Sequence, residues 1–482
     1  METLTQIVKR LSDEDYKMLL ANITTDKFSK PYIVLEAARH QVVSDARMIE
    51  ILDINPSTYY TLKSRLNTKV ASILSKKTEN PISALMNEVS RVPASLYGTD
   101  KQVAIRSLKE LEKQLLEYDL SNELIIVYHS LARLNMFSEE YHHYERLYNK
   151  FVAFSLASAK AENIYYEFMI MLGEYQLTKN PDDLEKIEST LRELSNITEL
   201  YNSHRMFVFF NIMRLYYLLI TAPNPESLLQ KEMEIDKTLQ DMKAIFERYP
   251  LDTFYNTVKF IIDALYFEYY QKINNLVRAR HYYKLVIENI GEYASHHIMN
   301  FHMVQFLNAK IELFMATDEE KILREKNEAI FRSLYIETGE TFGYICYLRY
   351  QAIVKYYDGD YAGTAGILNN LRSTINMKQY WLVDMDLKLF QVLQYIVLKE
   401  DALCKQLIGN IERNLRAKKT DFKNIKLFIK MIKVSFVEQD GQTRKKKISS
   451  LWDSFIKRNT GDEMVLSYLQ IDKKILQKLG RK

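Results

Sequence analysis

Ser57, Thr58, Tyr60, Thr61, Lys63 and Arg65 crowd into one short stretch of the chain. Hydroxyls and cationic heads at that density can hydrogen-bond phosphates or the edges of bases. A second concentration is cationic. Lys418, Lys419, Lys423, Lys426, Lys430 and Lys433 are followed by Arg444, Lys445, Lys446 and Lys447. On a helix the evenly spaced lysines would line one face, opposite Phe422, Ile425, Phe428, Ile429 and Ile432. Such a face could attract RNA, DNA or an acidic protein surface, or could simply keep a terminal helix solvated. His142-His143 near Glu145, and His296-His297 near His302, raise the question of a metal. Adjacent helical positions point about 100° apart, so neighbouring histidines share an ion poorly, and no His-Glu-x-x-His or cysteine cluster accompanies them. Histidines of a core or an interface are expected, with no metal and no cofactor. The chain also has no Gly-x-x-x-x-Gly-Lys loop, no Gly-x-Ser-x-Gly elbow and no Gly-x-Gly-x-x-Gly. A non-enzymatic protein is the expectation.

The elements that would position the first group can be read directly. Short helical patterns cover Leu4 to Leu11, Asp13 to Ala21 and Lys30 to Arg39. Val43-Ser44-Asp45 offers a cap for a helix running through Leu52, the turn Asp53-Ile54-Asn55-Pro56 follows, and Ser57 or Asn55 can cap a further helix through Leu74. Leu52, Ile54, Tyr59 and Leu62 would pack the two helices together. The stretch from Ala46 to Leu66 resembles the helix-turn-helix of bacterial DNA-binding proteins, with Asp53 where that family usually carries a turn glycine. The resemblance implies contacts from the six polar residues above to DNA between residues 44 and 67. Against it stands the charge of residues 1 to 80, where 12 basic groups face 10 acidic ones. Phosphate affinity comes largely from Lys and Arg, so a small helical cap over the following helices is the competing reading.

The whole-chain charge of +4 is unevenly shared. Residues 411 to 482 carry 19 Lys and Arg against 8 Asp and Glu, so the preceding body is acidic and a uniformly polyanion-binding surface is unexpected. Glycine (12) and proline (8) are scarce, which predicts an all-α chain with few left-handed turns. The two cysteines, Cys346 and Cys404, exclude a disulfide framework. No apolar window is long enough for a membrane span, and the first residues do not read as a signal peptide, so a cytoplasmic protein is expected.

Beyond a linker at 75–81 and a hairpin pattern from Ile82 to Val92 and Asp100 to Tyr118, a periodic pattern sets in. Polar breaks follow Leu134, Leu177, Ile220, Tyr270, Phe314, Tyr357, Leu398 and Val437, about every 43 residues. A period of that length marks stacked helical hairpins, each needing a neighbour to bury its apolar face. Two units align: a Tyr-Tyr pair (Tyr269-Tyr270, Tyr356-Tyr357) ends one helix, and a small residue (Ala279, Ala365) follows where close packing needs it. The segment from Tyr356 to Ala362 resembles the helix junction of a tetratricopeptide repeat. The chain therefore divides into residues 1–78, a small helix-turn-helix-like domain; 82–440, a tetratricopeptide-like α-solenoid; and 441–482, basic capping helices.

That architecture implies a scaffold or protein-interaction module binding a peptide or a partner helix on its inner face. Tyr165, Tyr166, Tyr216, Tyr217, Tyr269, Tyr347 and Tyr350 are the candidate anchors, although tyrosines at helical spacing also serve as core. The alternative is a DNA-binding regulator, similar to peptide-responsive proteins that join a helix-turn-helix to such repeats.

Overall fold

The computed structural model describes residues 4, 7, 8, 11, 13–23, 26, 28–40, 43–76, 81–222, 224–249, 252–416, 422–438, 440–460 and 464–469. Among these the regular structure is helical throughout, with no strand. No helix among them is long and apolar enough to cross a membrane. Lys418 and Lys419, the middle of the 75–81 linker and residues 470–482 of the expected capping helices lie outside the described residues.

Two compact units emerge: one of Met1–Ile170, Lys186–Met299 and Lys326–Tyr335, the other of Met171–Glu185, Asn300–Glu325 and Ile336–Lys482. The first begins with α1 (Asp13–Ile23), α2 (Lys30–His40), α3 (Asp45–Leu52) and α4 (Pro56–Lys76). These close on a core of their own, in which Val8, Tyr16, Leu19, Leu35, Met48, Leu52, Tyr59 and Leu66 are buried. Arg39 is buried with them, donating to the carbonyls of Val8 (2.9 Å) and Leu11 (2.6 Å) and lying over the Tyr16 ring. The guanidinium thus satisfies the end of one segment from inside. Of the expected linker, Ser75 and Lys76 belong to α4, and Pro81 opens α5 (Pro81–Gly98). The helix expected to stop at Val92 runs on through Pro93. It is followed by α6 (Lys101–Glu117) and α7 (Ser121–Leu134).

The break pattern predicts a hairpin between Leu134 and Leu177. A single helix of 39 residues stands there instead, α8 (Glu140–Thr178). Its sequence explains the difference, for it contains no proline and its only glycine, Gly173, comes in the last turns. The chain continues as α9 (Pro181–Leu200), α10 (His204–Thr221), α11 (Pro225–Leu229), α12 (Glu232–Arg248), α13 (Thr253–Lys272) and α14 (Leu276–Tyr293). In the other unit follow α15 (Asn300–Thr317) and α16 (Glu320–Arg324); α17 (Asn327–Ser333) packs on α14 in the first unit. Then come α18 (Thr341–Tyr357), α19 (Tyr361–Thr374), α20 (Trp381–Val397), α21 (Asp401–Arg416), α22 (Lys423–Val437) and α23 (Gly441–Arg458). Close pairs form between α13 and α14, α18 and α19, α20 and α21, and α22 and α23. Ala279 and Ala365 are buried in the second helices of the first two pairs, where a larger side chain would hold the helices apart.

The turns correct one expectation. Left-handed residues recur, but they are mostly Asp, Asn or Lys rather than glycine: Asp53, Asp119, Asn274 and Lys399, beside Gly359. Each closes its helix the same way, its own N–H bonding three residues back while the next N–H bonds five residues back, as in Asn274 to Gln271 (3.0 Å) and Asn275 to Tyr270 (2.8 Å). This pairing caps the last carbonyls of a helix. Asp and Asn tolerate the conformation better than most side chains, which frees the chain from a high glycine count.

Candidate functional site

The residues expected to read DNA all lie on α4. Ser44 caps α3, accepting from the Arg47 amide, and Asn55 Oδ1 accepts from the Thr58 amide (2.8 Å) at the start of α4. Asp53 sits between them at φ 47°, ψ 58°, in the left-handed region. Ser57, Thr58, Tyr60, Thr61 and Arg65 are exposed on α4. Lys63 is not available in the same way. Its ammonium lies 2.7 and 3.0 Å from the two Asp45 oxygens, and the Tyr59 hydroxyl also donates to Asp45 (2.9 Å). Lys63 is the largest cause holding the Asp45 carboxyl below its ordinary range. One cation of α4 is therefore engaged by a carboxylate of α3, and Arg47 is paired with Glu50 (2.6 Å).

The tyrosines divide sharply. Tyr165, Tyr216, Tyr269, Tyr347 and Tyr350 are buried, the core role that helical spacing also allowed, so these five do not serve as surface anchors for a partner. Their hydroxyls lie within the protein; that of Tyr350, for example, donates to the Leu323 carbonyl (3.3 Å). Tyr166 is exposed, its hydroxyl on Glu162 (3.1 Å), and Tyr217 is half-buried with its hydroxyl on Glu188 (2.6 Å).

The lysine face does form. Lys423, Lys426, Lys430 and Lys433 are exposed on α22, opposite buried Ile425, Phe428, Ile429 and Ile432. Lys426, Lys430 and Lys433 border a cleft with Arg416 and Glu412, floored by Leu415 and Ile429. Glu412 neutralises Lys433 at 2.7 Å. Lys445, Lys446 and Lys447 are exposed on α23, with Lys447 paired to Glu438. Arg444 departs from expectation: it is buried and donates to the Glu438 carbonyl (3.2 Å), capping the end of α22 instead of facing a ligand. His142 is exposed beside Glu145, whereas His302 is buried and held far below its ordinary value, near 3, by desolvation. Among the described residues no group of three His, Cys, Asp or Glu side chains could hold a metal ion.

The arrangement that sequence reading missed lies in the second unit. Residues 464–469 form no helix, yet Val465, Leu466, Tyr468 and Leu469 are buried. The Asp386 carboxylate of α20 holds them from both oxygens, Oδ1 accepting from the Leu466 amide (2.7 Å) and Oδ2 from the Tyr468 hydroxyl (2.7 Å). From α18, the Tyr357 hydroxyl donates to the Tyr468 carbonyl (3.3 Å). The Tyr468 ring meets Phe390 edge-on at 5.5 Å and the Arg349 guanidinium at 5.6 Å. Asn459 pairs with Val465 through both backbone groups, donating to its carbonyl (2.6 Å) and accepting from its amide (3.0 Å). Asn424 of α22 steadies Asn459 at 3.0 Å.

Electrostatics make this a demanding site. Burial pushes the Asp386 carboxyl above its ordinary range, against the pull of Arg349 and of the two hydrogen bonds it accepts. Leu466 adopts φ 54°, a conformation that costs a side-chain-bearing residue roughly 1–2 kcal/mol and persists only where the surroundings impose it. The Nε of Arg349 is buried without a hydrogen-bond partner. The arrangement can read a backbone amide, a carbonyl and a hydroxyl, but holds no nucleophile poised against a base. Its signal in the sequence is slight: Asp386 is one of two aspartates, with Asp384, in the largely apolar α20. Compared with protein-family models, curated proteins and solved structures, the chain finds no match.

Proposed function

We propose that this chain is a protein-interaction module built from tetratricopeptide-like helical hairpins, and that the faces of its first helices capture short peptide segments of partner proteins. Three of the close helix pairs, α13 with α14, α18 with α19 and α20 with α21, are joined by one type of left-handed turn, which supports the repeat reading. The observation that carries the function is the treatment of residues 464–469. Side chains 80 and 111 residues away satisfy the backbone of a non-helical segment inside an otherwise helical unit. Backbone capture by side chains is what peptide recognition demands, since main-chain groups supply affinity and pockets supply specificity. Gentle purification of the tagged full chain followed by mass spectrometry tests the reading. Stoichiometric co-purifying proteins are expected; a chain recovered alone, at every salt concentration, would count against it.

The second reading is a DNA-binding regulator acting through residues 44–67. It is favoured by the left-handed Asp53 turn and by the exposed row of Ser57, Thr58, Tyr60, Thr61 and Arg65. It is weakened by the engagement of Lys63 with Asp45. Retention on duplex DNA at low salt that falls on Arg65→Ala would support it. Retention that is undetectable, or unchanged when Lys63 and Arg65 are both replaced by Ala, would remove its basis.

A further inference from the structure

Residues 464–469 are bound as a ligand is bound. The features a peptide site needs are all present: a carboxylate that takes an amide and a hydroxyl, an aromatic and cationic slot for one ring, and an amide side chain that pairs with both backbone groups of a single residue. Most of these groups belong to α18, α20 and the end of α23, not to the segment itself. The segment contributes three buried apolar side chains, Val465, Leu466 and Leu469, together with the Tyr468 ring and hydroxyl. Ser467 alone among 465–469 is exposed. The Leu469 amide donates to the Leu466 carbonyl (3.1 Å), so the bound shape is a tight turn.

Two features separate this from the ordinary packing of a non-helical segment. The strained backbone of Leu466 is released when the segment leaves, so part of the binding energy is opposed by strain and the closed state is poised rather than locked. Departure strips the buried Asp386 carboxylate of both hydrogen bonds it accepts, from the Leu466 amide and the Tyr468 hydroxyl, and so requires a replacement of matching chemistry.

We infer that the 464–469 segment is an internal occupant of a peptide site, and that a partner protein is recognised there through a segment of the pattern Val-Leu-x-Tyr-Leu that takes its place. The inference rests on the interaction-module reading and adds to it the site, the partner's chemistry and its regulation. The partner's amide meets Asp386 Oδ1, and its tyrosine hydroxyl, two residues on, meets Asp386 Oδ2. The ring enters between Phe390 and Arg349, and the residue between leucine and tyrosine faces outward and is free to vary. While the internal segment is seated, the site is closed, and apparent affinity falls in proportion to the fraction of molecules in which it is open.

The test uses the full chain and a synthetic peptide, Met-Val-Leu-Ser-Tyr-Leu, carrying a fluorophore at the serine. Anisotropy is expected to show binding to Tyr468→Ala on the order of tenfold tighter than to the unaltered chain, because the variant vacates the slot. Adding Asp386→Ala to that variant is expected to abolish the gain, and a Tyr→Phe peptide is expected to bind more weakly than the tyrosine form. Should Tyr468→Ala not fold, as judged by circular dichroism, the unaltered chain still decides the matter: excess peptide is expected to speed hydrogen exchange at the Leu466 amide. No binding by the folded variant, or equal binding of the Tyr and Phe peptides, would overturn the inference. So would Leu466 exchange that ignores the peptide. A dimer of the unaltered chain that Asp386→Ala dissociates would instead name a second copy's segment as the occupant, and would also overturn it. None of these results touches the co-purification test, so the module reading and the site proposal can fail separately.

Discussion

The helix-turn-helix-like segment of α3 and α4 and the Asp386 clamp on α20 each gather polar side chains, and they treat charge in opposite ways. At the first, Lys63 and Asp45 pair at 2.7 Å with their side chains 25% and 38% exposed, so water shares the work of solvating both. At the second, Asp386 is only 8% exposed, and its partners are an amide and a hydroxyl brought from 80 and 82 residues along the chain. The first arrangement tolerates loss of a partner because solvent can replace it. The second does not, since each group left without a partner in the interior costs free energy that water cannot return. Polarity displayed at a surface and polarity assembled in an interior are therefore distinct kinds of evidence, and only the second implies a shape that something must fill.

Removing the carboxylate at the clamp should have the largest effect. Asp386→Ala leaves the Leu466 amide and the Tyr468 hydroxyl without their acceptor and should lower unfolding stability by about 2–4 kcal/mol, measured by urea denaturation. A loss close to zero would mean that the buried pairing is not maintained in solution. A second buried charge extends the contrast with Lys63. Lys310, fully buried, donates to the Glu325 carbonyl (2.7 Å) beneath the Tyr350 ring, and desolvation lowers its pKa to about 7. In the unfolded chain the amine keeps its proton to its ordinary value of 10.5. Between pH 7 and 9 the unfolded state then binds more protons than the folded one, so this group makes stability rise with pH across that window. Lys310→Met should flatten the rise by about 2 kcal/mol; an identical slope in both proteins would show that the amine is not desolvated.

At the surface pair the effects should be smaller. A double-mutant cycle through Asp45→Ala and Lys63→Ala should give a coupling of about 0.2–1 kcal/mol that fades as salt is raised. A coupling of several kcal/mol would erase the distinction between the two regions. Smallest of all, Asp53→Gly should be neutral or stabilising by up to about 1 kcal/mol, because glycine meets no penalty in the left-handed turn. A clear destabilisation would show that the Asp53 side chain does something other than tolerate its backbone.

What could be read from the sequence followed from range. A cap within Val43-Ser44-Asp45, another at Asn55 or Ser57, the lysine face of α22 and the small residues Ala279 and Ala365 depend on neighbours within a few turns, and the spacing along the chain reveals them. The break pattern located the close pairs of α13 with α14 and α18 with α19 but placed a hairpin where α8 runs unbroken, because a polar break after Leu134 does not require another turn before Leu177. Composition misled at the turns, where Asp, Asn and Lys adopt the conformation that glycine scarcity argued against. Of the tyrosines, Tyr166 and Tyr350 look alike in sequence; only tertiary packing leaves one at the surface and the other buried. Asp386 was invisible for the same reason, since nothing near it in sequence announces Leu466 or Tyr468.

Hydrogen exchange at the Leu466 amide, compared between the unaltered chain and Asp386→Ala, bears most directly on the central claim. The account predicts strong protection in the unaltered chain that is lost in the variant while the amides of α18 and α20 stay protected. A Leu466 amide that exchanges as fast as an exposed one in the unaltered chain would contradict it, as would one whose protection disappears only together with that of those helices.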